Sequence, residues 1–368
     1  MLLQQQQLRQ QATTADVIRG TEASLSEARR EPEGESRERR DSPTSPFGTD
    51  PSEVRYQRSP IHAIEIDGGD VTFSYGSAAH TFSGRGARDH IVPLVERLER
   101  PASVNELVAN VDAPAEQATM RALEMLEQHG LVIRVPRDDV PHELLVTAHL
   151  ATANQYDLTP SRRTVTDVLE RLLHADVAVV GRGVVAEEAA RLATTFGWST
   201  HAEPLDAGAV NSSDFVIVAP DPDDDVNVAA VDPVALHLLD IGIPWTMVTP
   251  FDGQVVTVGP VVIGGETACH ECARRRRTAA THLGADLHHL TGRTGASASN
   301  AAAAVAAGLA VHQALRWVAT ADPTVPGHLS AYRPFSGTVS EHLVLRVPRC
   351  PVCGPMHPPR SPWTSLDR

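Results

Sequence analysis

Four cysteines, set as two C-x-x-C pairs, constrain this 368-residue chain more than any other feature. The pairs are Cys269/Cys272 in ACHEC and Cys350/Cys353 in RCPVC. Four thiolates on two such knuckles match tetrahedral zinc, each knuckle chelating through a tight turn. In a reducing compartment this spacing favours metal over disulfide. A thioredoxin-like redox pair would open a helix after a strand, whereas both pairs fall late in their domain. With four protein ligands no position remains for an activated water, so the expected zinc is structural.

The length exceeds one typical domain, and 42% hydrophobic residues suffice for two cores. Lysine is absent, so all 32 positive side chains are arginine. That excludes a P-loop, a Schiff base and a lysine clamp on ATP phosphates. A net charge of −14 argues against nucleic-acid binding, which rests on cationic contacts that release counterions. The longest bland stretch, 298–318, is interrupted by Asn300, His312 and Arg316, so no membrane span is expected. The N-terminus MLLQQQQLRQQ has no secretory pattern, and the expected location is the cytoplasm. No G-x-S-x-G or H-E-x-x-H pattern occurs, and His288 and His289 are read as ordinary surface or partly buried residues.

Residues 1–58 are polar, with a glutamine run and mixed charge, and are read as a disordered tail. Apolar alternation then marks a hairpin through Ile64, Ile66, Val71, Phe73 and Tyr75, turning at Asp67-Gly68-Gly69. A third strand is placed at 79–83, and helical spacing follows at Ile91, Leu94, Val95 and Leu98, with Pro93 early enough to be tolerated. Ser103 and Glu106 form a capping-box pattern, and Asp112 caps a third helix that ends at Gly130. A strand over 131–135 closes a winged-helix module, 59–137. A linker with Pro141 and a turn at Thr159-Pro160-Ser161 leads to a helix over 165–174, all within 138–175. Strands and helices then alternate through 176–356, which predicts an α/β domain with a largely parallel sheet. Its strands are placed at 177–180, 215–219 and 244–249, with a hairpin at 254–258 and 261–263. A helix over 298–319 and a strand near 343–347 complete it, and 357–368 is a tail.

The segment VAVVGRGVVAEEAARLA runs from a strand through Gly181, Gly183 and Ala186 into a helix. Glycines there allow a tight turn and a small residue allows close helix–strand approach, so backbone N–H groups can face a phosphate. Such a loop also serves merely to pack a doubly wound sheet. Glu203 is a weak candidate for the acidic residue ending the second strand. Asp221 in APDPDDD suits magnesium or a solvated turn. Arg274–Arg277 suits an acidic or phosphorylated partner, or an exposed helix start.

Over about 176–354 the sequence resembles the ThiF/MoeB-like adenylating fold. The resemblance rests on VVGRGVVAEEAARLA, IPWTMVTPFDGQVVTVGPVVIGGETACHECARRRR, SNAAAAVAAGLAVHQALRWV and RVPRCPVCG. With the winged helix ahead of it, the chain resembles the Ocin-ThiF-like partner proteins of azole-forming cyclodehydratases. The resemblance implies that the module is a recognition element for a precursor leader, which adds as a strand beside the third strand and rests on the third helix. Mapped here, the groove comprises His80, Thr81, Phe82, Ala118, Arg121, Ala122 and Met125. It also implies a YcaO-type partner that cyclodehydrates Cys, Ser or Thr, and it allows a homodimer. Adenylating members hold ATP with an Asn-Arg segment and a lysine, and HAEPLDAGAVNSS offers neither. ATP is therefore not expected, Gly181, Gly183, Ala186 and Asp221 are read as a vestigial nucleotide loop, and no residue is assigned to catalysis. An active ThiF-like adenylyltransferase and a winged-helix DNA-binding regulator are the alternative readings.

Overall fold

The strand Phe215–Ala219 (FVIVA) shows how the larger domain is built, because every residue in it is buried. Phe215, Ile217 and Ala219 join one apolar cluster, and Val216 and Val218 join another, so the sheet is covered on both faces. That is the signature of a parallel sheet with helices on either side. The computed structural model describes residues 54–67, 70–76, 78–109, 111–135, 140–153, 163–198, 202–203, 206, 210, 212–221, 223–280 and 299–354. All belong to one unit, Pro46–Arg368. The turn at Gly68-Gly69, the Thr159–Ser161 turn, His288-His289, and the 1–53 and 357–368 parts of the proposed tails lie outside the described residues.

The N-terminal module contains β1 (Arg55–Arg58), β2 (Ala63–Asp67), β3 (Asp70–Tyr75) and β4 (Ala78–Phe82). A π-helical turn, Ala87–Ile91, runs into α1 (Val92–Arg97), where Pro93 occupies the tolerant first turn. Next come β5 (Ala102–Ser103), α2 (Val104–Val108), α3 (Ala113–Gln128) and β6 (Val132–Val135). The Ser103–Glu106 capping box forms, with the Glu106 N–H donating to Ser103 Oγ at 3.2 Å and the Ser103 N–H donating to Glu106 Oε2 at 2.7 Å. Asp112 caps α3 by accepting from the Ala115 N–H at 3.0 Å. Two antiparallel three-stranded sheets result, in the orders β2-β3-β4 and β5-β1-β6. Arg55–Arg58, assigned to the 1–58 tail by sequence, is thus a strand, central in its sheet. Its sequence RYQR carries no apolar alternation, which is why pattern alone passes over it.

The stretch expected to be mainly linker contains a further helix, α4 (His142–Ala153), before α5 (Val165–His174), whose Thr164/Asp167 capping box is formed. Leu144, Leu145 and Ala148 bury α4 in the main core. The domain continues with β7 (Val177–Gly181), α6 (Gly183–Thr195), β8 (Ala202–Glu203), β9 (Phe215–Ala219), α7 (Asp225–Ile241) and β10 (Trp245–Thr249). It ends with β11 (Val256–Val258), α8 (His270–Ala280), α9 (Asn300–Thr320), β12 (His328–Arg333) and β13 (Thr338–Leu343). The seven-stranded order is β13-β12-β11-β10-β9-β7-β8, parallel from β10 to β8 and antiparallel from β10 to β13. Instead of the expected hairpin at 254–263, β11 lies between β10 and β12, while Val261 and Val262 form only isolated bridges. The final strand precedes the predicted 343–347, because Thr338–Leu343 is a fully exposed edge without an apolar face to announce it.

Long and apolar enough to span a membrane by length and composition, α9 instead packs inside the domain. Its Ala306, Ala307, Ala310 and Ala314 share a cluster with Ala186, Ala189, Ala190 and Ala193 of α6. Small residues on both helices let the two backbones approach closely.

Gly181 ends β7 at φ +140°, opposite Ala219 of β9, and a Cβ there would lie 1.8 Å from the Ala219 carbonyl oxygen. Gly308, within α9, has open space around an added Cβ. Gly181→Ala is therefore expected to cost about 3 kcal/mol, and Gly308→Ala to stabilise by up to about 1 kcal/mol through helix propensity. Thermal melts of the two variants check this, and equal Tm values would contradict it.

Candidate functional site

Three places concentrate chemistry: the cysteines, the β7–α6 glycine loop and the groove beside β4. All four cysteines are buried, with Cys269 and Cys272 at the start of α8 and Cys350 and Cys353 in the turns after β13. Sulfur separations are 3.8 Å for Cys269–Cys272, 3.7 Å for Cys269–Cys350 and 3.5 Å for Cys272–Cys353, and all four atoms lie within 4.8 Å of one another. A tetrahedron with Zn–S bonds of about 2.3 Å has sulfur–sulfur edges of about 3.8 Å, whereas a disulfide is about 2.05 Å long. The geometry fits a metal and excludes a bridge.

Burial pushes the thiols of Cys269 and Cys353 up, Cys353 to about 11. Burial acts on Cys350 in the same sense, but the backbone N–H groups of Cys353 and Val352 bring it below the ordinary thiol value. The Val347 N–H donates to Cys272 Sγ at 3.3 Å. Gly354 closes the second knuckle, where a Cβ would meet the Cys350 carbonyl oxygen at 2.2 Å. A bound divalent cation would supply the charge that holds all four sulfurs as thiolates.

Around this cluster the Arg274–Arg277 run is committed internally. Arg274 and Arg275 both donate to the buried carboxylate of Glu271, at 2.5 and 2.6 Å. Burial raises that carboxyl, and the two guanidinium groups more than offset it, leaving it below the usual range. Arg276 reaches the carbonyls of Leu345 (2.5 Å) and Arg346 (2.9 Å), and Arg277 pairs with Asp252. Glu271, inside the first knuckle, was not singled out by sequence; its position between two buried cysteines was the available signal.

At the carboxyl ends of β7, β9 and β10 lies an open cleft of about 170 Å³, smaller than the roughly 300–1,000 Å³ typical of small-molecule pockets. Val185, Val248, Phe251 and Ala306 form apolar wall, with Arg182, Asp221, Asp223 and Thr249 among the polar groups. Gly183 starts α6 at φ +78°, and the Asp221 carboxylate lies 3.1 Å from where its Cβ would be. Asp221 Oδ1 also accepts from the Asp223 N–H at 3.0 Å, and Arg182 lies 3.9 Å from Asp224. Gly181, Gly183 and Asp221 are thus together at the cleft. Ala186 is not on its wall but buried against the main core. Glu203 sits in β8 opposite Val180.

In the module, β4 is the outer strand of its sheet, so among the described residues its far edge pairs with no strand. His80 and Phe82, two residues apart, present the same face, while Thr81 points to the other and meets Thr72 Oγ1 at 3.0 Å. His129, at the end of α3, stacks on both, with ring centroids 5.3 Å from His80 and 6.3 Å from Phe82. On α3, Arg121 is exposed, Ala118 and Met125 are half-buried, and Ala122 is buried in the module core. A bulky residue at 122 would therefore disturb the fold as well as any groove. His129 was missed in the sequence, although Gly130 marked it as the residue closing α3.

Purified protein is expected to carry about one zinc per chain. Cys350→Ser should lower metal content and cost about 4 kcal/mol, roughly 10 °C in Tm. Elemental analysis with thermal melts checks this, and full stability in metal-free protein would contradict it.

No family model matches the chain, and no curated protein sequence matches it. Solved structures do. A heterocyclase in complex with substrate and cofactor aligns with a TM-score of 0.60 and 18% identity, over 81% of this chain and 39% of that one. The heterocyclase TruD aligns with 0.58 and 17%, over 82% and 43%. The microcin C7 biosynthetic enzyme MccB in complex with N-formylated MccA aligns with 0.51 and 14%, over 82% of this chain and 100% of that one. This chain spans about two-fifths of the length of the two heterocyclase chains. It shares a mixed α/β fold with TruD and MccB and carries a buried tetracysteine cluster suited to zinc.

Proposed function

We propose that this chain binds the leader of a ribosomally made precursor peptide and presents it to a YcaO-type cyclodehydratase that forms azoline rings, which a separate dehydrogenase can oxidise to azoles. The observation that carries the reading is the unpaired outer edge of β4, beside the end of α3, in a chain that shares its fold with heterocyclases. A peptide added to that edge gains affinity from backbone pairing, and its alternate side chains enter the space toward α3 for specificity. The element order of 55–135 suits a winged-helix recognition module. The heterocyclases are more than twice as long as the part this chain matches.

The chain's own residues supply recognition and positioning. The zinc-bound cysteines would hold the C-terminal strip to α8 and leave no open coordination position. The adenylyltransferase reading is favoured by one observation, the cleft over Gly183. Against it, the cleft offers Arg182 as its one cation among the lining residues, and this side chain already lies near Asp224, while Asp221 places negative charge at the start of α6. An N-terminus of a helix favours anions, and here a carboxylate of the chain itself is present.

Reconstitution tests the proposal. Full-length protein, a cognate YcaO-type enzyme, its precursor peptide and ATP should together remove one water per ring, read by mass spectrometry. Ala118→Arg, at a half-buried position on α3, should lower that yield about tenfold or more. The protein alone should show no pyrophosphate exchange with ATP. Exchange that disappears in Asp221→Ala would establish the adenylyltransferase instead.

A further inference from the structure

The charges on α3 are sorted by side. Glu127 pairs with Arg134 of β6 at 2.7 Å, and both Glu124 and Glu127 act on the Tyr56 hydroxyl of β1. Those acids therefore belong to the β1–β6 side of the helix. Arg121, Met125 and His129 follow one another at four-residue spacing, which aligns them as a separate stripe. His129 identifies that stripe as the one beside β4, because its ring meets His80 and Phe82. Arg121, His80 and His129 are all exposed. Among the described residues, no side-chain hydrogen bond or ion pair engages any of the three.

We propose that His80 and His129 together hold a carboxylate, so that the peptide received at β4 is selected for an acidic side chain facing α3, with Arg121 two turns earlier on α3 adding positive charge along the same lip. The inference rests on the peptide-binding reading above and deepens it. The two imidazoles, one on the edge strand and one at the helix end, lie against each other in a tilted contact with centroids 5.3 Å apart, at the border of the space a side chain of the added strand would enter. Each neutral imidazole still offers one N–H donor, so a carboxylate gains donors from strand and helix without a change of protonation state. Hydrogen bonds to an ionised carboxylate are the stronger kind. On a chain of net charge −14, a lip carrying Arg121 and two imidazoles lowers the repulsion an acidic segment meets. Phe82 and Met125 supply an apolar floor, so the fitting peptide carries an acid next to an apolar residue of the same face.

The probe is a displayed library of random dodecapeptides, selected on the full-length protein. Selected peptides are then synthesised with a fluorescent label, together with versions in which each Asp or Glu is replaced by its amide, and titrated by anisotropy. The expected result is enrichment of Asp or Glu at one position and about tenfold weaker binding of the amide version. In the His80→Gln/His129→Gln double variant, acid and amide peptides should bind alike, while its melting curve matches that of the unsubstituted protein. Peptides whose binding is lost in Ala118→Arg, yet which show no acid-to-amide difference, overturn the carboxylate site and leave the groove standing. Peptides that bind Ala118→Arg unchanged, or a selection that yields none, overturn the groove and the carboxylate site together.

Discussion

Four buried sulfurs within 4.8 Å of one another bring the start of α8 against the turns after β13. They are not an appendage to the core, because Cys269, Cys272, Cys350 and Cys353 share one apolar cluster with Val216, Val218 and Trp245 of the central strands. Burial pushes the Cys269 and Cys353 thiols up, so a bound cation would supply the charge that favours their thiolates. Polar links reinforce the strip after β13. Arg276 bonds to carbonyls at 345 and 346, Arg346 returns to the carbonyls of Gly265 and Thr267, and Glu271 ties two arginines to the first knuckle. The arginine run, open in sequence to reading as a binding surface, is accounted for by this internal lacing.

The glycine loop shows how backbone packing alone can dictate a sequence motif. Gly181 is dictated by the approach of β7 to β9, where any side chain would collide with the Ala219 carbonyl. That requirement is independent of phosphate. Gly183 leaves room that the Asp221 carboxylate fills. The loop motif in the sequence therefore reports the packing of a doubly wound sheet.

Much of this architecture was legible because its causes are local. The buried run FVIVA, the Ser103–Glu106 box, the α5 helix at 165–174 and the two cysteine knuckles each carry their signal within a few residues. The failures have causes as well. In HELLVTAHLATA, apolar residues go nearly all round, so α4 lacks the one-sided pattern that reveals a surface helix, and a preceding proline made it read as linker. Strand β1 is recruited by pairing with β5 and β6, not by its own composition. On the edge, β13 has no buried face to alternate. The charge sorting on α3 could not be seen either, because it depends on where Tyr56 and Arg134 arrive from distant positions.

Strand β6 decides how independent the N-terminal module is. Val132 belongs to the module's own core, while Ile133 and Val135 belong to the main core with Leu144, Leu145, Leu169 and Leu172. One four-residue strand thus contributes to two cores, and β1 pairs with it along its whole length. At the junction, Ser59 Oγ lies 2.7 Å from His62 Nδ1 and 3.3 Å from His149 Nδ1, with His149 on α4. A fragment ending soon after β6 would expose Ile133 and Val135 to water, and one beginning at residue 58 would lack most of β1. The sheet β2-β3-β4 is accordingly carried on a support that the larger domain completes. On the function proposed above, a peptide added at β4 would be held in a fixed position relative to the domain that shares its fold with the heterocyclases.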